Sequence, residues 1–459
     1  MGYKAHLRQK GYNPTVPMRD VIDAWWGWYV ANNSWYYSEE RSASDRRTYK
    51  VERLSIKPAR MVCQEWASLL LNERTVISCE DEATNAWLAD YIETSSFLYT
   101  GQRLVERTFA LGTGAWALRF EGIAEGATYS PTARIVVQRF DARQIIPLTY
   151  DEDTCTECAF LSAVVIGGKK LDQLQMHRIG ERGTYVIETA FFDARGVPVK
   201  VDAVAESVDT GSTMSPFALV RPGLENTYWD YSPFGVSVFD DALGAVKLTD
   251  TAVDNMHRDI WLGQKMLFLD ERMLETDANG RVVVPRAKDQ QLFRKTETDG
   301  SPALIEEYNP DLRIADNRLA LDAGLDLLAA RVGLGAGYYA SGAQGVSSRT
   351  ATEVIAEQSD LFRNLRKHEN AMTPAIKTIT AAIIDSARNI IGLPLPDAGA
   401  ITVRYDDSII EDTDAMRRRD LTDIAAGLMQ PWEYRAKWYG EDEATARTMV
   451  TAEPLPPAE

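Results

Sequence analysis

The stretch Val332–Ser348 reads VGLGAGYYASGAQGVSS and holds no charged residue, in a chain of 459 residues of which 25% are charged. Its glycines make a loop, and its neutrality suits a surface that something highly charged passes without sticking. Amphipathic helical patterns flank it on both sides. Downstream, Thr350 and Glu353 have the spacing of a capping box. The helix they open is predicted to reach about Ile391, roughly 60 Å at the helical rise. Val354, Leu361, Leu365, Met372, Ile376, Ile379, Ile383 and Ile390 keep a three-to-four spacing along it. Pro374 removes a backbone donor inside it and is expected to kink it, and Gly392 and Pro394 end it.

Upstream of the loop, Asn309 as cap and Pro310 at the first helical position open a helix through Leu312, Ala315, Leu319, Leu325, Leu328 and Val332. An earlier helix is predicted from a Ser237 cap, with Asp240 and Asp241 in its first turn. Its apolar stripe is Phe239, Ala242, Val246, Val253, Met256 and Ile260, and Gly263 ends it. Each helix covers about 24 residues, hence ~35 Å, and matched lengths suggest an antiparallel pair. Between them MLFLD, RVVVP, QLFRK and ALIEEY read as short strands. The pattern is a stalk with a β-rich tip.

Residues before the stalk read as α+β. Trp25, Trp26, Trp28, Tyr29, Trp35, Tyr36 and Tyr37 crowd one short stretch. A helical packing face explains them; a base-stacking platform would need interleaved Lys or Arg, which residues 21–38 lack. Helical patterns follow over Pro58–Leu71 and Thr84–Thr113, then strands over Trp116–Phe192, including Arg134–Phe140 and Tyr185–Phe191. The turn Tyr231–Gly235 closes this region. After the long helix come an acidic patch from Asp406 to Asp414, short helical segments over Ala415–Val450, and the tail EPLPPAE.

A chain this long holds about three domains, and its 45% hydrophobic residues can bury a sizeable core. Sixty-seven acids against 50 bases give a net charge of −17, which argues against gripping nucleic acid by neutralising phosphates. Encircling DNA without gripping it stays open. No segment has a signal-peptide layout or 18 consecutive apolar residues, so no membrane association is expected. Four cysteines make no disulfide framework and suit a reducing cytoplasm during folding.

Taken in order, several short segments resemble the portal proteins of tailed phages, in the subgroup of siphophages of Gram-positive hosts. These are Glu65–Glu73 (EWASLLLNE), Glu106–Leu118 (ERTFALGTGAWAL), Ile145–Asp153 (IIPLTYDED) and Tyr231–Ala242 (YSPFGVSVFDDA). Arg349–Asp360 (RTATEVIAEQSD), Val403–Met416 (VRYDDSIIEDTDAM) and Ala425–Ala446 (AAGLMQPWEYRAKWYGEDEATA) complete the series. The resemblance implies a ring, commonly of twelve copies, at one capsid vertex of the virion, assembled in the host cytoplasm. It implies an α+β wing at residues 1–236, stem helices at 237–263 and 310–332, and a β-rich clip at 264–309. A channel loop at 333–349, a long kinked helix at 350–391, and a helical crown with the C-terminal tail at 392–459 follow. The short tail departs from longer relatives, so the crown is expected to be small.

The implied function is passage of double-stranded DNA during packaging and ejection, with no enzymatic activity and no cofactor. An acidic wall repels phosphates within a Debye length, ~8–10 Å, and so centres a duplex. Asp250, Asp254, Asp259, Asp316, Asp322 and Asp326 are the expected wall residues, unless they only solvate helix faces. In the loop, Gly335 and Gly337 are expected to give mobility, and Tyr338, Tyr339, Gln344, Ser347 and Arg349 are the candidates for contact with DNA, with an ordinary flexible connector as the competing account. At the clip, Arg281, Arg286, Lys288, Arg294 and Lys295 form the expected docking surface for the large terminase and then a head–tail adaptor, with a merely solvated basic face as the competing account. Major capsid and scaffolding proteins are the further implied partners.

Other classes fit less well. Cys155 and Cys158 form a C-x-x-C, but neither Cys63, Cys79 nor the four histidines supply a second ligand pair, and His177 is at most a third ligand. No metal site is expected, although a metal or redox enzyme using this pair is an alternative. Gly167-Gly168-Lys169-Lys170 lacks the rest of a P-loop, and Gly333–Gly337 follows a helix rather than a strand. A capsid or scaffold-associated structural protein is the other alternative; it leaves the stem–clip–loop–helix order unexplained.

Overall fold

A computed structural model describes residues 2–41, 47–201, 204–270, 278, 292–295, 305–339, 351–405 and 413–452. The fold is α+β. Helices α1 (Gly2–Gln9) and α2 (Arg19–Tyr29) lead into a hairpin of β1 (Tyr37–Arg41) and β2 (Thr48–Glu52). Helix α3 (Pro58–Leu70), strand β3 (Val76–Cys79), α4 (Glu82–Thr94) and α5 (Phe97–Leu111) follow. The helix predicted over Thr84–Thr113 is therefore two. Asp81 caps α4 by accepting from the Thr84 N–H at 2.7 Å. The break falls at Ser95 and Ser96, where Ser96 takes φ +52°, a left-handed conformation that no continuous helix accommodates.

The strand region forms two sheets. Strands β4 (Gly114–Glu121), β5 (Arg134–Asp141), β6 (Ile145–Asp151), β7 (Thr154–Ile166), β8 (Lys169–Ile179), β9 (Tyr185–Phe192), β10 (Pro198–Val199), β11 (Ser207–Asp209) and β12 (Phe217–Val220) run in chain order. The three-stranded sheet has order β12-β4-β5. The larger has order β10-β9-β8-β7-β6, with β11 also on β9. Directly paired residues share a face, so the registers Ala117↔Gln138 and Phe217↔Ala117 set one inner face, and Phe160↔Gln175 and Cys158↔His177 the other. Phe140, Phe160, Phe217 and His177 meet between the sheets, with Phe140 and Phe160 stacked at 4.8 Å. The aromatic stretch is a helical packing face only in part: Trp25 and Tyr29 are buried on α2, and the Trp25 indole donates to Asp240 Oδ1 at 2.6 Å, but Trp35 and Tyr36 lie in the turn after it and Tyr37 is exposed on β1.

After β12 come α6 (Leu243–Leu262), a small sheet of β13 (Met266–Asp270), β14 (Leu292–Lys295) and β15 (Ile305–Tyr308), and α7 (Ile314–Arg331). The chain then forms α8 (Ala351–Ser386), β16 (Ile401–Arg404), α9 (Thr413–Ala425), α10 (Pro431–Tyr439) and α11 (Glu443–Ala452). Strand β16 pairs antiparallel with β3, which ties the segment after α8 back to the N-terminal region. Helix α8 carries Pro374 inside it, with no break in the helical assignment. Residues Ala387–Ile391 close it as a π-helical turn, and Gly392 at φ +79° stops it. The wider turn was not legible in the apolar spacing. Leu361, Leu365, Met372, Ile376, Ile379 and Ile383 all face the core, as their spacing predicts. The Thr350–Glu353 capping box lies outside the described side chains.

Two histidines sit in this core as neutral rings. His177 lies between Phe160 and Phe217, with neither ring nitrogen hydrogen-bonded among the described residues. His368 packs edge-on to Trp66 at 4.6 Å and accepts from the Gly223 N–H at Nδ1, 2.9 Å away. Burial lowers the pKa of both to about 3 from 6.5, with Lys367 adding to the effect at His368. The unfolded chain thus binds protons first, so stability is full above pH 6.5 and is lost as pH falls toward 3. By pH 5 each histidine is expected to cost roughly 2 kcal/mol. Urea melts at pH 7 and pH 5 will show this loss, and His177→Leu will reduce the difference.

Candidate interface on the helix pair

Helices α6 and α7 pack antiparallel: Asp259 near the end of α6 accepts from Arg313 at 2.6 Å and from Asn317 at 2.7 Å. At the other end Gly324 lies on Thr249, where a β-carbon would come within 2.9 Å of Oγ1 and 3.1 Å of Cα. A side chain there would force the helices apart. The predicted starts of both helices move inward. Ser237 spends its hydroxyl on the Phe109 carbonyl, Asp240–Ala242 form a 3₁₀ turn, and α6 begins at Leu243. Pro310 does not open α7, which starts at Ile314 with Arg313 at the cap position and no side-chain cap bond.

The six acids divide sharply. Asp250 is 0% exposed and cannot line a conduit. It accepts from the Tyr36 hydroxyl and the Ser55 hydroxyl, both at 2.7 Å, and from the Ile56 N–H at 3.0 Å. Burial raises its pKa, and the three donors oppose that shift. Asp254 is also buried, accepting from the Leu54 N–H at 3.2 Å and pairing with Arg258 at 3.2 Å. Both carboxylates bind α6 to the segment between β2 and α3, which corrects the wall assignment for them. Asp259 is spent on α7, and that bonding holds its pKa down, Arg313 most of all. Asp316 is exposed, while Asp322 and Asp326 are half-buried, Asp322 lying 3.9 Å from Arg318.

Apolar side chains cover much of what the pair leaves open. Ile260, Leu312 and Leu319, predicted as packing positions, are exposed, together with Leu248, Trp261, Leu262, Ile314 and Leu327. Trp261 is 63% exposed. The sequence predicts one apolar stripe, but Trp261 and Leu262 beside Ile260 widen the apolar surface at the end of α6, interrupted by Asp259 on the side that meets α7. That signal was present in the sequence. At the far end β13 pairs in parallel with β14 and antiparallel with β15, and Lys265 reaches Glu307 at 2.7 Å. Arg294 and Lys295 fall on β14, an edge strand of this sheet. Arg281, Arg286 and Lys288 lie outside the described residues.

The root of the neutral loop is built, not free. Gly333, Gly335 and Gly337 take φ of +84°, +91° and +81°. The Trp66 indole donates to the Val332 carbonyl at 3.2 Å, and Asn364 donates to the Gly333 carbonyl at 3.1 Å. Tyr338 donates to Glu65 at 3.0 Å, and its ring meets Tyr339 edge-on against the core. Burial first, then Glu65, raises both phenol pKa values. Tyr338 and Tyr339 are therefore anchors of the loop at α3 and not its free tip. Gln344, Ser347 and Arg349 lie outside the described residues.

No protein-family model matches the chain, and no curated protein does. A solved structure titled as the neck of a native GTA particle, computed with C12 symmetry, is similar over 87% of this chain and 89% of that one. The identity is 10% and the TM-score 0.39. A likeness that loose leaves fold and function to be argued from this chain alone.

Chemistry at the remaining sequence candidates is limited. Cys155 and Cys158 stand unbridged on β7, and the buried Cys158 thiol donates to the Ile146 carbonyl at 3.5 Å. Burial, then Cys155, pushes that thiol well up, which disfavours the thiolate. Among the described residues, no group of three or more His, Cys, Asp or Glu could hold a metal ion, and no helix is long and apolar enough to cross a membrane.

The two kinds of acid predict different costs. Asp250→Ala leaves three donors without an acceptor and is expected to destabilise by on the order of 3 kcal/mol. Asp316→Ala on the exposed face of α7 should stay within about 0.5 kcal/mol. Chemical denaturation of both variants against the parent measures the contrast.

Proposed function

We propose that the chain is the protomer of a portal-type ring through which double-stranded DNA enters and leaves a capsid. The observation carrying this reading is the α6–α7 pair, whose exposed apolar side chains require covering while its end bears a small sheet. Exposed apolar surface of this kind marks an interaction site, and copies set side by side around an axis would bury it. The segment order supports the same reading, since α7 leads through the glycine-rich root directly to the long α8. In such a ring Asp316, Asp322 and Asp326 are the acids still available to a central wall, where they would repel phosphates. Glu65 and Trp66 would hold the start of each loop against α3.

The ring would occupy a virion vertex after assembly in the host cytoplasm, with twelve copies as the expected number. Edge strand β14 would offer its backbone, with Arg294 and Lys295, to the large terminase and later to a head–tail adaptor. Capsid and scaffolding proteins would meet the wing. The protein would supply a passage, and a separate ATPase the work.

Negative-stain electron microscopy and sedimentation velocity over a range of concentrations test the proposal. Open rings with radial symmetry near twelve are expected. Trp261→Ser combined with Leu319→Ser should shift the population toward smaller species without lowering the melting temperature of the monomer. A discrete dimer or tetramer at every concentration, unaffected by these substitutions, would refute the ring.

A further inference from the structure

A recess of about 330 Å³ opens beside α5 and β5, away from the helix pair. Arg60, Arg103, Arg107 and Arg139 line it, with Glu106 and Asp141 as its acids. Four arginines against two carboxylates leave two positive charges uncompensated, in a chain whose net charge is −17. Both acids are already engaged. Glu106 accepts from the Tyr29 hydroxyl at 2.5 Å and lies 3.6 Å from Arg60. Asp141 takes Arg143 at 2.7 Å and Arg107 at 3.4 Å.

Arg103 and Arg139 have no carboxylate partner among the described residues. Arg139 donates to the Thr100 carbonyl at 2.9 Å, and Arg103 lies over the Tyr99 ring at 6.0 Å. Burial lowers the Arg139 pKa, and the neighbouring charges of Arg103 and Arg107 lower it further. Arg139 is thus half-buried beside two like charges, while Arg103 stands exposed at the same recess. Such an arrangement is unfavourable alone and becomes favourable when an anion sits among the guanidinium groups.

We propose that this recess binds a carboxylate side chain presented by an acidic segment of another protein chain. Guanidinium forks match the two oxygens of a carboxylate, and Tyr29 and Phe140 give its aliphatic stem an apolar wall. A nucleic-acid backbone fits less well. Glu106 and Asp141 share the recess and would repel a dense line of phosphates, whereas one carboxylate leaves the local charge near balance. The site lies outside the elements assigned to DNA passage, and its occupancy does not depend on ring formation.

Isothermal titration calorimetry of the full chain with a capped tetraglutamate peptide tests this, with capped tetraglutamine, inorganic phosphate and a 20-base-pair duplex as the other arms. Tetraglutamate is expected to bind, more weakly as salt rises, and Arg103→Gln and Arg139→Gln should each weaken it about ten-fold. Arg195→Gln, on the far β9–β10 turn, should leave it unchanged. Because Arg139 also supports the α5 backbone, Arg103→Gln decides if Arg139→Gln fails to fold. Absence of tetraglutamate binding, or binding indifferent to Arg103→Gln, overturns the assignment. Tighter binding of phosphate or of the duplex, lost in Arg103→Gln, overturns the carboxylate in favour of a phosphate ligand.

Discussion

The burial of Trp66 is the contact on which the other elements depend. Its ring meets Phe109 of α5 and His368 of α8, and its indole donates to the Val332 carbonyl at the end of α7. Four helices are thereby fixed around one side chain. His368 can share that space only as a neutral ring, accepting from Gly223, so the same packing that unites the helices makes the core sensitive to acid. The β-sheet layer repeats the pattern with His177 between Phe160 and Phe217. Both histidines lower stability in the same pH window, from 6.5 downward, because both are uncharged only when folded.

A second constraint sets the helix pair on this body. Asp250 and Asp254 project from α6 into the segment Leu54–Ile56, and Asp250 also receives Tyr36. Buried carboxylates are costly unless every oxygen is supplied with donors, and here the hydroxyls and backbone N–H groups are supplied by elements nearly two hundred residues away. The helix pair is therefore fastened at its base by charge burial and by the close approach of Gly324 to Thr249, and at its far end by Asp259 bonded to Arg313. Beyond that fastening its surface turns apolar. On a chain with net charge −17 this apolar surface is a contrast, since net charge keeps like bodies apart while exposed apolar faces draw partners together.

The loop root and the arginine recess show a common economy of position. Glu65, Tyr338 and Tyr339 hold the neutral loop against α3, so the segment beyond starts from a fixed point. Beside α5, Glu106 holds Arg60, Asp141 holds Arg107 and Arg143, and Arg103 and Arg139 are left without a carboxylate among the described residues. In both places the internal contacts determine which groups remain uncommitted.

Much of this was legible in the chain. Period-two runs located β5 and β9, and three-to-four spacing located α3, α8 and the helix pair, because those periods follow directly from backbone geometry. The neutral, glycine-rich composition after Val332 marked the end of α7, as the turns over Val332–Tyr339 show, and the sequence alone also determined that the fold is α+β. Tertiary structure decided what periodicity does not encode. Nothing in the spacing of Asp250, Asp254 and Asp316 tells which carboxylate turns inward, because that depends on whether Tyr36, Ser55 and Ile56 come to meet it. Nor does composition tell that Tyr338 docks on Glu65, that Ser95 and Ser96 divide a helix, or that Arg103 and Arg139 share a recess with their charges unanswered. Local geometry repeats every few residues and can be read from the chain; pairing between distant side chains is fixed only when the whole of it is packed.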